Sequence, residues 1–381
     1  MKMEDILSNC IEDRKKAFCS INAGFMKNSC IDLLVKYVIL LINSIGKKSD
    51  KNCLLFVDEV NNQNMSDNLF LTYKKGSECG HNAKYLSFFS FQKREMHYKM
   101  GLAYPLSMLF RTCGILFLAG IRILCKRDTA QWICRRMIRF FNDYLAHIKN
   151  CGCFYLMTDH NFFSTVIAMN ENCYSRVVQH GLVLYKDLYY PVRANQFCAW
   201  GAHTKEIMNN DEKVWVTGTY KFDSLEKRKN NASIRKVLYC VSTLDNHLVE
   251  QKIGILQEIC AVFKMELAIK LHPGSFYSLD YWKNRFETIQ FYKNERFHQI
   301  EFDLAVSENS TVNLDLSIMG KPFIIYDNNL GYFERYSEII PFASNPDDLR
   351  RIFSTLDRFD FSEINKLLLQ GELNGGDCSI F

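Results

Sequence analysis

The sequence has few residues that interrupt regular structure. Its 381 residues include only 6 Pro and 18 Gly, whereas 48% are hydrophobic and 29 are Phe. This composition excludes collagen-like, low-complexity and disordered chains, because it supplies ample apolar material for packed cores. At roughly 150 residues per domain, the length indicates about two or three domains, and we expect two.

Long apolar runs are also missing. The most apolar stretch covers residues 112–121, which is short of the roughly 20 residues that a bilayer span requires. The opening residues, MKMEDILSNC, lack the basic stretch and apolar run of a secretory signal. Many of the 15 Cys lie among apolar neighbours, as Cys113 and Cys240 do, which is typical of small buried side chains in a reducing compartment. We therefore expect a cytoplasmic protein without a structural zinc site, since Cys151 and Cys153 have no second pair at zinc-like spacing.

The positive charge is concentrated in one segment. Residues 93–149 hold 11 Lys and Arg against 3 Asp and Glu, a local net charge of +8 in a chain whose total is +5. Within this basic segment, residues 131–150 predict an amphipathic helix. Its two faces carry Ile133, Met137, Phe140, Tyr144 and Ile148 on one side and Arg135, Arg139, Asn142 and Asp143 on the other. Such a helix either rests on an anionic membrane or acidic acceptor, or is a core helix with a solvated basic face, which we favour.

Strand-like runs alternate with helical stretches along the whole chain. This alternation predicts the α/β class, with parallel sheets covered by helices. The predicted strands lie at 53–60, 68–74, 153–159, 175–181, 214–218, 236–243, 266–273, 288–293, 302–308 and 321–327. The polar stretch 226–236 is the predicted linker, so we expect two doubly wound, Rossmann-like domains, 1–230 and 231–381, that face each other across a cleft. Ligands of such folds bind at the carboxyl ends of the strands.

Two strand ends of the first half carry candidate catalytic groups. Asp159 and His160 follow one strand, and Asp159 could take a proton from an incoming hydroxyl or could simply cap the next helix. Gln179, His180 and Gly181 follow the next strand. Glycine allows close approach of a ligand to the backbone, and histidine can donate to a phosphate or accept a proton.

Two strand ends of the second half carry candidate phosphate-binding groups. His272 leaves a strand beside Pro273 and Gly274, and the proline presents it rigidly towards the cleft. Ser310 and Thr311 sit where a helix begins, so that hydroxyls and free backbone N–H groups point at one place. The remaining members of the predicted donor site are Ser307, Asp315, Ser242 and Thr243.

These motifs together resemble a known family. KLHPG at 270–274, followed about thirty residues later by the S-x-x-S-T…G-K-P-x-x-x-Y-D pattern of 307–327, looks like the nucleotide-binding half of GT-B glycosyltransferases. The chain is most similar to bacterial enzymes with cytidine-activated donors, the sialyltransferases, polysialyltransferases and Kdo transferases, which carry His-Pro and Ser-Ser/Thr motifs. It is also similar to CDP-glycerol glycerophosphotransferases, whose His-Gly turn matches His180 and Gly181. The resemblance spans residues 154–348.

The resemblance implies an inverting, metal-independent transferase that needs no cofactor. It would move a sugar acid, either sialic or another nonulosonic acid or Kdo, from a CMP-linked donor to a hydroxyl of a bacterial surface glycan such as capsule or lipopolysaccharide. His272, Ser310 and Thr311 would stabilise the leaving phosphate. The base would be Asp159 by position or His180 by analogy with the glycerophosphotransferases. The basic segment suits an anionic glycan or glycolipid acceptor or peripheral contact with the inner membrane, whereas nucleic-acid binding lacks a recognisable module.

The sequence departs from its relatives in two places. Sialyltransferases place their base in an acid-acid-Gly motif, but Asp58 and Glu59 precede Val60 here. UDP-GlcNAc 2-epimerases, an alternative with His-Pro and Gly-Lys-Pro motifs, have Ser-Gly-Gly and paired glutamates where this chain has residues 309–311 and 314–315. Further alternatives are a glycerophosphotransferase and a non-catalytic subunit of a polysaccharide assembly complex. The lack of a G-x-G-x-x-G after any predicted strand counts against a dehydrogenase.

Overall fold

Two parallel sheets organise the chain. The structure is a computed structural model that describes residues 23–45, 49, 53–59, 63–88, 97, 99–124, 130–148, 152–183, 190–220, 234–242, 245–272, 275, 277–293, 295, 297–373 and 380–381. The linker predicted at 226–236 falls mostly outside these residues. No helix among them is long and apolar enough to cross a membrane.

The first sheet has six parallel strands in the order β2-β1-β3-β4-β5-β6. Its strands are β1 (Leu54–Asp58), β2 (Ala83–Ser87), β3 (Cys153–Leu156), β4 (Ser175–Val178), β5 (Gln196–Ala199) and β6 (Val214–Val216). Its helices are α1 (Ala23–Asn43), α2 (Gln63–Glu78), α3 (Ala103–Leu124), α4 (Ala130–His147), α5 (Phe162–Ala168) and α6 (Ala202–Ile207).

The second sheet also has six parallel strands, in the order β9-β8-β7-β10-β11-β12. This is the strand order of a dinucleotide-binding Rossmann fold, whose switch point lies between β7 and β10. Its strands are β7 (Lys236–Cys240), β8 (Glu266–Lys270), β9 (Gln290–Tyr292), β10 (Leu304–Ser307), β11 (Phe323–Tyr326) and β12 (Phe342–Ala343). Its helices are α7 (Asn246–Val262), α8 (Leu279–Arg285), α9 (Val312–Ile318), α10 (Pro346–Phe353) and α11 (Phe361–Leu373), with 3-10 turns at Phe297–Gln299, Gly331–Tyr336 and Leu356–Arg358.

The predicted α/β class and the two doubly wound sheets are confirmed, but one predicted element is wrong. Residues 68–74 belong to helix α2 rather than to a strand. Buried Leu69, Thr72 and Gly76 recur there at helical spacing, and Leu69 packs under the sheet beside Phe56. The predicted strands also omit β2, β5 and β12.

Helix α4 is a core helix with a solvated basic face, as we favoured. Ile133, Met137 and Tyr144 are buried against helices and strands of the first domain. Arg135 and Arg139 are exposed on the other side. The apolar stripe therefore stabilises the first domain, and the arginines remain available at the surface.

Helix α11 joins the two domains. It packs on α6 of the first domain, and the Glu372 carboxylate accepts hydrogen bonds from His203 Nδ1 (2.7 Å), from Tyr336 Oη (2.9 Å) and from Tyr332. Glu372 and His203 are both buried, so loss of one partner would leave the other as an unsatisfied buried polar group, which costs free energy.

Replacement of Gly201 by Ala is expected to destabilise this junction. A Cβ at Gly201 would lie 2.2 Å from the backbone oxygen of Glu372, so helix α11 must shift away from the first domain. We expect the free energy of unfolding in denaturant to fall by about 3 kcal/mol. The matched control is Gly254→Ala in helix α7, where nothing lies within 4 Å of the new Cβ and a gain of up to about 1 kcal/mol is expected. Equal stability of the two variants would show that α11 does not pack this closely.

The last residues of the sequence return to the first sheet. The backbone oxygen of Ile380 accepts hydrogen bonds from Tyr155 Oη (3.0 Å) and Arg176 Nη1 (2.6 Å). The Phe381 ring stacks on Tyr220 and lies 5.8 Å from the ring of Tyr155. Ile380 and Phe381 thus add to the core beside the first sheet.

Candidate functional site

The switch point of the second sheet carries a buried carboxylate. Glu308 follows β10 and is 4% exposed, and its oxygens accept hydrogen bonds from Tyr239 Oη (2.6 Å), Ser242 N (3.0 Å) and Lys252 Nζ (2.8 Å). Burial, and secondarily the charge of Glu308, raise the pKa of Tyr239, which therefore stays a hydrogen-bond donor. The hydrogen bonds from Tyr239 and Ser242 join the end of β7 to the end of β10, and the ion pair with Lys252 adds helix α7.

The loop between β10 and α9 is held from several directions. Ser307 donates to the Asn313 side chain, whose Nδ2 donates in turn to the Glu308 backbone oxygen (3.0 Å). Asp327, at the end of β11, accepts from Asn309 N (3.1 Å). Ser310 Oγ accepts from Val312 N at 3.4 Å, so this hydroxyl also shapes the turn. The predicted Ser307 is thus a structural residue that orients the loop.

Two polar atoms in these loops lack a protein partner. Among the described residues, Ser242 Oγ and Asn309 Oδ1 are buried without a hydrogen bond. Buried polar groups are nearly always hydrogen-bonded, so atoms of this kind at a strand-end crevice are typical of a site that receives a polar ligand. Ser242 is a predicted donor-site residue, whereas Asn309 was missed.

His272 lies at the end of β8, next to β7 in the sheet. Its side chain is half-buried, and desolvation lowers the pKa of its imidazole, with Glu308 acting in the opposite direction. His272 is thus neutral near pH 7. Asp315 is half-buried and lies close enough to Lys270 to oppose the lowering of that amine's pKa by burial.

In the first domain, the turn after β4 presents His180. Its Nδ1 lies 3.0 Å from the backbone oxygen of Met157. Since a carbonyl oxygen only accepts, this contact places an imidazole proton on Nδ1, so that Nε2 is the ring nitrogen that can take up a proton. Gln179 is buried and holds the turn, because its amide donates to Gly181 O (2.8 Å) and accepts from Trp200 N (2.7 Å).

The two domains meet at these predicted residues. Leu182 N donates to Thr311 Oγ1 at 3.2 Å, and a Cβ at Gly181 would lie 3.7 Å from the same oxygen. The turn that carries His180 therefore touches the loop that carries Ser310 and Thr311. Sequence positions 130 residues apart converge on one cleft, as expected of opposed strand ends.

Asp159 has a different environment. It is 1% exposed, and its Oδ2 accepts from Arg193 N (2.5 Å) and Ala194 N (3.0 Å). The carboxylate thus fixes the segment before β5. His160 bridges Asp159 Oδ1 (3.3 Å) and Arg193 Nη1 (2.5 Å) at the same strand end.

The alternative that Asp159 caps the following helix is wrong. Buried Glu59, which follows β1, caps helix α5 instead. Its oxygens accept from Phe163 N (2.9 Å) and Ser164 N (2.7 Å) in the first turn of α5. A carboxylate supplied from another strand cannot be recognised from local sequence, since the pair is more than 100 residues apart.

Three residues of the predicted donor site, Pro273, Gly274 and Thr243, lie outside the described residues. The sequence reading missed Lys252, although a signal was present: this lysine occupies the apolar stripe of α7 that includes Val249 and Leu256. Within the described part of the chain, no group of three or more His, Cys, Asp or Glu could hold a metal ion.

Comparisons with known proteins show which solved structures have a similar architecture. No protein-family model and no curated protein sequence matches the chain. One similar solved structure, assigned as a UDP-N-acetylglucosamine 2-epimerase from Listeria monocytogenes, has a TM-score of 0.53 at 15% identity and covers 86% of this chain and 93% of its own. A variant of the wall teichoic acid polymerase TagF has a TM-score of 0.51 at 11% identity, with 97% and 94% covered. The chain has the GT-B fold.

A third structure shares this GT-B arrangement. S. aureus MnaA in complex with UDP has a TM-score of 0.51 at 12% identity and covers 86% of this chain and 93% of its own. At these identities the likeness establishes the fold. Chemistry must therefore be argued from the side chains at the cleft.

Proposed function

We propose that this GT-B protein is a metal-independent transferase that moves a group from a cytidine-activated donor to a hydroxyl of a bacterial surface glycan. The observation that carries the proposal is the hydrogen bond between His180 Nδ1 and Met157 O. It orients the imidazole with Nε2 as proton acceptor, at the turn that contacts Thr311 of the other domain. Histidine is the commonest general base in enzymes, and it acts when a hydrogen bond holds its ring in place.

The donor is assigned to the second domain. The crevice at its switch point would receive the nucleotide, with Ser242, His272, Ser310 and Thr311 around the phosphate. The buried oxygens of Ser242 and Asn309 support this assignment, because a polar ligand would satisfy them. The Glu308 carboxylate accepts a hydrogen bond from Ser242 N and so would hold Ser242 in place beside the phosphate.

The reaction follows from these positions. His180 Nε2 takes the proton of the acceptor hydroxyl while that oxygen attacks the activated centre of the donor. CMP then leaves with the bonding electron pair, and His272 with Ser310 and Thr311 stabilises the charge that develops on its phosphate. The exposed arginines of the basic segment suit an anionic glycan or glycolipid acceptor.

Two donor classes follow from different observations. The His-Pro and Ser-Thr motifs favour a CMP-linked sugar acid, either sialic or another nonulosonic acid or Kdo. The placement of His180 and the engagement of Asp159 with backbone N–H groups favour a CDP-glycerol-type donor, since that class shares the His-Gly turn. Both classes release CMP.

The deciding experiment compares donors. Purified protein is incubated with CMP-sialic acid, CMP-Kdo, CDP-glycerol and UDP-GlcNAc, each with a glycan acceptor, and the released nucleotide is measured. We expect CMP from one of the three cytidine donors. Turnover of UDP-GlcNAc alone would contradict the cytidine assignment and favour the epimerase alternative. With no donor turned over, a binding subunit of an assembly complex would become the better description.

Protonation of His272 should accompany donor binding. Since burial lowers the pKa of free His272 below 6.5, a phosphate that binds beside it must raise that pKa and draw in a proton. The affinity for CMP should therefore increase as the pH falls from about 8 to about 6.5, by up to about tenfold per pH unit. Titration calorimetry in buffers of different ionisation enthalpy measures the proton uptake. The His272→Gln variant should lose this uptake, and an unchanged uptake would rule out His272 as its source.

A further inference from the structure

The outer face of helix α3 presents large apolar side chains to solvent. Phe110 is 78% exposed and Phe117 is 70% exposed, and both lie two turns apart on one side of the helix. Leu106 and Leu118 are exposed beside them. Exposed phenylalanines at helical spacing form a continuous apolar stripe, which in soluble surroundings usually marks an interaction site.

The opposite face attaches α3 to the protein. The residues that are buried there are Met108, Thr112, Ile115 and Ala119. Their spacing of three and four residues is that of one helical face. The exposed apolar stripe therefore does not contribute to the core.

Helix α3 lies in an outer layer of the first domain. Its main packing partners are helices α1 and α4 rather than the sheet. The Tyr104 ring near its start stacks on His147 at the end of α4, with ring centroids 3.7 Å apart. The two helices are therefore antiparallel, and the second half of α3 lies alongside the first half of α4.

Helix α3 and its neighbour α4 also expose positive charge. Helix α3 contains no acidic residue and exposes Arg111, and α4 exposes Arg135, Arg136 and Arg139. The acidic residue of α4, Asp143, lies towards the other end of that helix. This pair of packed helices therefore exposes both apolar groups and cations, which together are the complement of an anionic lipid surface.

We propose that helix α3 docks this protein on the surface of an anionic lipid bilayer. Phe110, Phe117 and their leucine neighbours enter the boundary between headgroups and acyl chains, and the arginines of α4 contact the lipid phosphates. The stripe runs from Leu106 to Leu118, so about 20 Å of apolar surface lies in the membrane plane. This docking does not depend on which donor the cleft accepts.

The test uses the full chain with lipid vesicles. Flotation is measured with vesicles of phosphatidylglycerol and phosphatidylcholine and with vesicles of phosphatidylcholine alone. We expect the Phe110→Ser, Phe117→Ser double variant to bind the anionic vesicles at least about tenfold more weakly than the wild type. Val262→Ser, which removes a 76% exposed apolar side chain from helix α7, should bind like the wild type. Arg135→Glu with Arg139→Glu should weaken binding to the anionic vesicles selectively.

Several distinct results would contradict the bilayer proposal. Wild-type binding by the double phenylalanine variant would overturn the proposal, as would equal binding of the wild type to both kinds of vesicle. Sedimentation velocity without lipid tests another occupant. If the wild type is a dimer that the phenylalanine variant converts to a monomer, a second copy of the chain covers the stripe, and the bilayer proposal fails. Matching unfolding temperatures confirm that both variants are folded.

Discussion

Replacement of His180 by Ala is expected to abolish most turnover while donor binding survives. The imidazole acts on the acceptor hydroxyl, whereas the nucleotide is assigned to the other domain. Loss of a positioned general base lowers kcat by about 10²- to 10⁴-fold. Steady-state kinetics with the donor identified above measure kcat, and calorimetry with CMP should give a dissociation constant close to that of the wild type.

Two comparisons make this result specific. His247→Ala removes an exposed histidine at the start of α7 and should leave kcat unchanged. Asp159→Asn tests the rival base: because Asp159 holds two backbone N–H groups, we expect a loss of stability with a smaller effect on kcat. Full activity of His180→Ala, together with an inactive but stable Asp159→Asn, would reverse the assignment.

Replacement of Lys252 by Met should strongly destabilise the second domain. The change leaves the Glu308 carboxylate buried without its cation, and an unpaired buried charge of this kind costs about 3 to 5 kcal/mol. Denaturant unfolding followed by the intrinsic fluorescence of Trp282, which is buried in this domain, reports the loss.

Matched variants separate burial from charge. Lys366→Met breaks an exposed pair with Glu363 and should cost less than about 1 kcal/mol. The Lys252→Met, Glu308→Gln double variant removes both charges and should recover much of the lost stability. If the double variant is as unstable as the single one, the penalty comes from the packing of the lysine stem instead.

The sequence was most informative where a local pattern determines structure. The Asn345-Pro346 pair is a local pattern typical of a helix start, and it lies at the start of α10, where the side chain of Asn345 caps the first turn and proline fits. The strand ends that carry His180, Thr311 and His272 were also found, since buried parallel strands are short apolar runs.

The sequence was least informative where partners are distant. Nothing near Glu59 indicates that it caps α5, and nothing near Glu308 indicates Lys252 or Tyr239. Asp159 looked available as a base because its sequence neighbours are polar, yet its carboxylate binds the backbone of residues 193–194. Burial and pairing of this kind depend on the packing of whole domains, which single-sequence patterns do not encode.

The return of Ile380 to the first sheet links the folding of the two domains. The hydrogen bond from Tyr155 to Ile380 spans 225 residues, so this part of the first sheet's core stays incomplete until Ile380 has been synthesised. At about 5–20 residues per second this interval lasts roughly 10 to 45 s on the ribosome. A contact of such long range also slows refolding in vitro. The second domain therefore has time to fold before Ile380 and Phe381 join the core of the first domain.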